Sequence, residues 1–119
     1  MDEMRERTNG LRALYRAFNE REIDAVLAAF AADVDWPNGW EGGRVVGHEA
    51  VRDYWTRQWA AIDPSVEPEE IVERPDGTIA VSVHQVIRDP DGRQLADSRV
   101  CHVYTFDGDL VTRMEIEGE

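Results

Sequence analysis

Up to Ile62 the large apolar residues recur every three or four positions, whereas from Val66 onward they recur every second position. That change of period divides the chain into a helical first half and a strand-rich second half. Leu11, Leu14, Tyr15 and Phe18 form one helical stripe, and Ile23, Val26, Leu27 and Phe30 form a second, which is expected to end near Ala32. Gly10 leaves the start of the first helix open between residue 3 and residue 11. Val34 to Trp36 reads as a short strand, stopped by Pro37-Asn38-Gly39. Val51, Tyr54, Trp55, Trp59 and Ile62 trace a third helix, which Asp63-Pro64 closes. Strands are then expected from Ile71 to about Arg74, from Thr78 to Arg88, from Leu95 to Phe106 and from Leu110 to Glu117. Turns at Pro75-Asp76-Gly77, Asp89 to Gly92 and Asp107-Gly108 make them an antiparallel meander.

A chain of 119 residues has room for one hydrophobic core, so residues 1–119 are expected to form one domain. With 42% hydrophobic and 32% charged residues it has the composition of a folded protein. Its 25 acidic against 13 basic side chains give a net charge of −12, which repels phosphate backbones and anionic lipid surfaces. No nucleic-acid or membrane partner is expected. The longest apolar run, Ala25 to Ala32, is far short of the roughly 20 residues that a membrane span needs. The first residues, Met-Asp-Glu-Met-Arg, do not read as a secretory signal, and Cys101 has no second cysteine to pair with. The cytoplasm is therefore the expected compartment.

Turn geometry assigns faces. If the Asp89 to Gly92 turn has two or four loop residues, paired positions sum to an odd number. Ile79, Val81, Val83, Gln85 and Ile87 then share a face with Ser98, Val100, His102, Tyr104 and Phe106. This set is the more apolar one and should face the helices. The opposite face carries His84 with Arg99 and Cys101. For the last hairpin, a two-residue turn puts Arg113 and Glu115 on the His102 face and a three-residue turn puts Met114 and Ile116 there. The Asp-Gly signal favours the first arrangement.

Phe18-Asn19, Ile23-Asp24, Leu27, Phe30-Ala31 and Asp33 stand in an order that resembles the NTF2-like superfamily, with its SnoaL-like and ketosteroid-isomerase-like members. Gly47 followed by Glu49-Ala50-Val51, and Tyr104-Thr105-Phe106-Asp107-Gly108 leading to Val111 and Arg113, extend the likeness from about Leu11 to Glu117. The resemblance implies a cone-shaped α+β (cystatin-like) fold, a curved antiparallel sheet wrapped around three helices. It also implies a pocket for a small apolar molecule, and a homodimer formed through the sheet face bearing His84, Arg99 and Cys101. Steroid isomerases use an aspartate base, with a tyrosine and a protonated aspartate as oxyanion donors. Those positions carry over to Asn38 or its neighbour, Leu14 and His102, and all three differ in type. Tyr15 lies about 100° round the helix from the tyrosine position, a poor replacement. Asp35 should face away from the pocket by alternation with Trp36.

The candidate catalytic residue is His102, an imidazole on an apolar face that can act as acid, base or hydrogen-bond donor near neutral pH. Glu115 would orient it if the two shared a face. Tyr15, Trp36, Asn38, Trp40, Trp59, Val83, Gln85 and Tyr104 are the candidate ligand-binding residues. His84 is expected to make a structural or interface contact near Asp97. The histidines His48, His84 and His102 lack metal-ligand spacing, and neither a P-loop nor a Gly-x-Gly-x-x-Gly motif is present, so no metal or nucleotide cofactor is expected. Three classes follow: an isomerase, cyclase, dehydratase or hydrolase acting through His102; a binding module without chemistry; and a dimerising domain whose cone is filled.

Overall fold

The computed structural model describes residues 3–38 and 42–117. Helix α1 spans Glu3–Asn19 and runs through Gly10 without interruption. It ends in a Schellman arrangement: the Glu22 amide bonds Ala17 O at 2.8 Å and the Arg21 amide bonds Phe18 O at 3.0 Å, with Arg21 at φ 62°. A non-glycine residue in that conformation costs about 1 kcal/mol or more. Arg21 offsets it by contacts, because its guanidinium bonds Asp63 and the Pro64 carbonyl and lies 4.9 Å from the Trp59 ring centroid. The end of α1 is thereby tied to the strand that follows the third helix.

Helix α2 is short, Ile23–Leu27, and strand β1 already begins at Phe30 and runs to Pro37. The expected helix to Ala32 is thus cut by a strand. The reason lies in the sheet, where Phe30 pairs in parallel with Val111 and the Val111 amide donates to Ala29 O at 2.9 Å. A short strand β2, Arg44–Val46, pairs back on β1, and helix α3 spans His48–Ala61. Gly47 starts α3 at φ 92° while donating to Val34 O at 2.8 Å.

Four strands follow, β3 (Asp63–Glu73), β4 (Ile79–Arg88), β5 (Gln94–Asp107) and β6 (Leu110–Glu117). They complete a curved six-stranded sheet in the order β2-β1-β6-β5-β4-β3. Every pairing is antiparallel except β1 with β6. Strand β3 is eight residues longer at its start than the expected Ile71. Pro64 and Pro68 did not prevent this because β3 is an edge strand, where a missing N–H costs no ladder bond.

The faces on β4 and β5 are as expected, with Val81 opposite His102 and Ile79 opposite Tyr104, but not through the expected even-numbered turn: Arg88 pairs with Gln94 across five residues, and a bulge at Leu95 restores the odd sum. Their side chains join Leu11, Leu14 and Tyr15 of α1 and Val51, Tyr54 and Trp55 of α3 in the core. The favoured register of the last hairpin is overturned. Asp107 does pair with Leu110 around a two-residue turn, but a bulge then gives Thr112 no counterpart. From there Tyr104 faces Met114 and His102 faces Ile116, so Arg113 and Glu115 fall on the other side of the sheet.

Candidate active site

A cavity of about 540 Å³ lies between α3 and the sheet, a size typical of small-molecule sites. Its sheet wall is Gln85 and Ile87 of β4, Val100 and His102 of β5, and Met114 and Ile116 of β6. Tyr54, Trp55, Gln58 and Ile62 of α3 cover it, Phe18 of α1 closes one side, and Trp36 to Asn38 at the end of β1 close another. Each sheet residue reaches this wall because alternation places it on the helix-facing side.

Toward the narrow end of the cone the space is filled. Phe30, Trp36 and Trp55 pack with ring centroids 4.8 to 6.0 Å apart, and Trp59 stacks on Trp55 at 5.8 Å. Between Trp36, Tyr104 and His102 only a void of about 40 Å³ remains. The expected wall is therefore displaced. Val83 is fully buried in the core, Tyr15 and Tyr104 lie behind the cavity, and Trp59, half-buried, is not part of its lining. Trp59 keeps its indole N–H buried without a partner among the described residues, a cost of about 1–3 kcal/mol. Trp40 lies outside the described residues.

His102, 6% exposed, sits where the filled end meets the cavity. Its Nδ1 is 2.8 Å from the Tyr15 hydroxyl, and the Tyr15 and Tyr104 hydroxyls are hydrogen-bonded at 2.8 Å. Tyr15 was expected to be a poor replacement on helical phase alone. Its long side chain nevertheless crosses to β5, because the buried stripe of α1 is wide enough to hold both Leu14 and Tyr15. The signal was available in the shared stripe of Tyr15 and the shared face of His102 and Tyr104. Burial pushes the histidine down to about 4 and both tyrosines above their ordinary range, with the charge of Tyr104 adding to the effect on Tyr15. At neutral pH all three are uncharged.

The other polar groups on the wall are amides and a phenol. Asn38 is buried at the end of β1, where its backbone closes the following loop through bonds to Gly42 and Gly43. Gln58 donates to the Tyr54 hydroxyl at 3.3 Å, and Gln85 faces the cavity from β4. Two charged residues border it, and both are neutralised at the rim. Arg44 donates to Asp35 and, at 2.6 Å, to Met114 O, while Arg113 bonds both Asp35 and Glu115. Asp35 thus points away from the pocket, as alternation required. Glu115 is held by Arg113 at 3.0 Å across the sheet from His102, so the expected His102–Glu115 pair is not assembled. On the outer face, His84 bonds Asp97 at 2.6 Å and Arg99 grips Glu69 through two bonds. Among the described residues no group of three or more potential metal ligands occurs, and no helix is long and apolar enough to cross a membrane.

This combination of a curved sheet, the helices α1 to α3 and a cavity between α3 and the sheet defines a cone-shaped α+β domain of the NTF2-like class. Residues 11–114 match the model of the SnoaL-like domain, and the chain belongs to that family. No curated protein matches the sequence. Among solved structures, an NTF2-like protein of unknown function from Burkholderia pseudomallei is similar, with 26% identity, a TM-score of 0.82, and 96% and 91% of the two chains covered. TerC, co-crystallised with polyporic acid, has a TM-score of 0.82 at 23% identity over 96% and 92% of the chains. SalBIII, an epoxide hydrolase/cyclase-like enzyme of pyran ring formation in the polyether salinomycin, has a TM-score of 0.81 at 20% identity over 98% and 93%.

Proposed function

We propose that this chain binds a small, largely apolar and uncharged molecule bearing a carbonyl or similar oxygen, and that it acts on it as a cyclase- or isomerase-type enzyme through His102. The observation that carries the reading is the position of His102. It is a titratable group set in the cavity wall and anchored from behind, while the charged rim residues are neutralised by one another. A desolvated imidazole strengthens any hydrogen bond it makes to charge developing on a bound oxygen. Membership of the SnoaL-like family supports a ligand site, and the ring-forming role of SalBIII supports cyclase-type chemistry. Asn38, Gln58 and Gln85 would orient the oxygens of the same molecule.

Native mass spectrometry of the purified protein, searching for a retained molecule, tests the binding step. Val100→Trp, which fills the cavity from β5, is expected to abolish retention without unfolding the chain. With a ligand in hand, His102→Ala separates the two classes: turnover lost with binding kept supports the enzyme, and unchanged turnover overturns it. A second copy of the chain would pack on the sheet face bearing His84, Arg99 and Cys101. The ion pairs there are satisfied within the chain, so covering them strands no charge. Sedimentation equilibrium giving a monomer at all concentrations would refute the dimer.

A further inference from the structure

We infer that Tyr15 is a positioning residue that fixes His102 as the Nε2–H tautomer, so that the cavity meets a hydrogen-bond donor and not a base. Two buried bonds join Tyr104, Tyr15 and His102, and hydrogen positions on them can be arranged in three ways. If His102 donated to Tyr15 and Tyr15 to Tyr104, the Tyr104 hydrogen would have no acceptor, since Tyr15 is its one partner among the described residues and Tyr104 is fully buried. If Tyr15 accepted from both neighbours, its own hydrogen would be stranded. Either defect costs the desolvation of a buried O–H. Only Tyr104 donating to Tyr15, and Tyr15 donating to Nδ1, uses every hydrogen.

Nδ1 is then an acceptor and the ring hydrogen resides on Nε2. That atom has no protein partner among the described residues, yet it is not among the buried unpartnered atoms, which places it toward the cavity. A ligand oxygen that accepts a hydrogen bond, such as a carbonyl, quinone, ether or epoxide oxygen, fits it. A group that must surrender a proton to the ring does not, because the ring's lone pair is occupied by Tyr15. The functional consequence rests on the proposed ligand site, but the tautomer itself does not.

The test uses the unliganded protein. Nitrogen-15 NMR of the histidine rings, with the His102 signals identified by their loss in His102→Gln, is expected to show Nδ1 unprotonated and Nε2 protonated at about pH 7, near the ordinary histidine range. Tyr15→Phe is expected to move both nitrogens toward the averaged values of a mixed tautomer. Tyr104→Phe is expected to keep the Nε2–H form, because the Tyr15 hydrogen still has Nδ1 as its acceptor. A protonated Nδ1 in the wild-type chain, or unchanged nitrogen shifts in Tyr15→Phe, would overturn the inference. Should Tyr15→Phe fail to fold, the wild-type and Tyr104→Phe spectra still decide it, since mixed or Nδ1–H signals in either contradict the lock. None of these readings depends on a ligand, so loss of the proposed activity and loss of this inference are separate results.

Discussion

The Tyr15 hydroxyl lies 2.8 Å from Nδ1 of His102, joining helix α1 to the middle of β5. Because the same hydroxyl receives the Tyr104 hydrogen, the two phenols are not equivalent. Tyr15→Phe leaves the Tyr104 hydroxyl and Nδ1 both unpartnered and is expected to cost about 1–3 kcal/mol. Tyr104→Phe leaves Tyr15 its acceptor and is expected to cost about 1 kcal/mol. Urea unfolding of the two variants checks the order; a larger loss in Tyr104→Phe would reverse the direction assigned to the chain.

Stability should carry the signature of a buried neutral imidazole. Folding lowers His102 from 6.5 to about 4, so between those values the unfolded chain takes up a proton that the folded chain refuses. The contribution is complete above about pH 6.5 and is lost as the pH falls through 4, amounting to about 3 kcal/mol. His102→Gln removes this slope. Urea midpoints across the range should show the wild-type curve falling more steeply than that of the variant, and parallel curves would contradict a neutral buried ring.

Two glycines should respond in opposite senses to alanine. Gly10 lies inside α1 with nothing within 4 Å of an added Cβ, so Gly10→Ala is expected to stabilise by about 1 kcal/mol. Gly47 adopts φ 92° at the start of α3, and Gly47→Ala is expected to destabilise by at least about 1 kcal/mol. Thermal melts of the pair provide the measurement.

At the rim, Asp35 is shared by Arg44 and Arg113 with its side chain 28% exposed. Asp35→Asn is expected to cost about 1 kcal/mol or less at low salt, with the deficit shrinking as salt screens the network in the wild-type chain. A deficit that does not change with ionic strength would show that packing, not charge, dominates there.

The helix-facing wall was legible in the apolar pattern of β4 and β5, where Ile79, Val81 and Val83 answer Val100 and Tyr104 and carry His102 to the helix side. The Asp89 to Gly92 turn alone gives the opposite parity, since Arg88 pairs with Gln94, and only a bulge that leaves Leu95 unpaired restores the expected one. Glu115 was misplaced because the bulge at Thr112 reverses parity after the turn, and nothing in the pattern Leu110 to Ile116 marks where an extra residue enters. The run Ala25 to Ala32 suits a helix as well as a strand, and only pairing with Val111, a contact distant in sequence, decides that β1 begins at Phe30. Displacement of the cavity from Tyr104 and Val83 follows from three-dimensional crowding by Phe30, Trp36 and Trp55, which no spacing rule encodes.

Strand β3 bounds the sheet with two prolines, Pro64 and Pro68, a bulge between Pro68 and Glu70, and the acidic residues Asp63, Glu67, Glu69, Glu70 and Glu73. Such an edge offers an intruding strand an interrupted row of amides and a repulsive charge. Growth by edge-to-edge addition, the usual route from an open sheet to fibrils, is obstructed along this side.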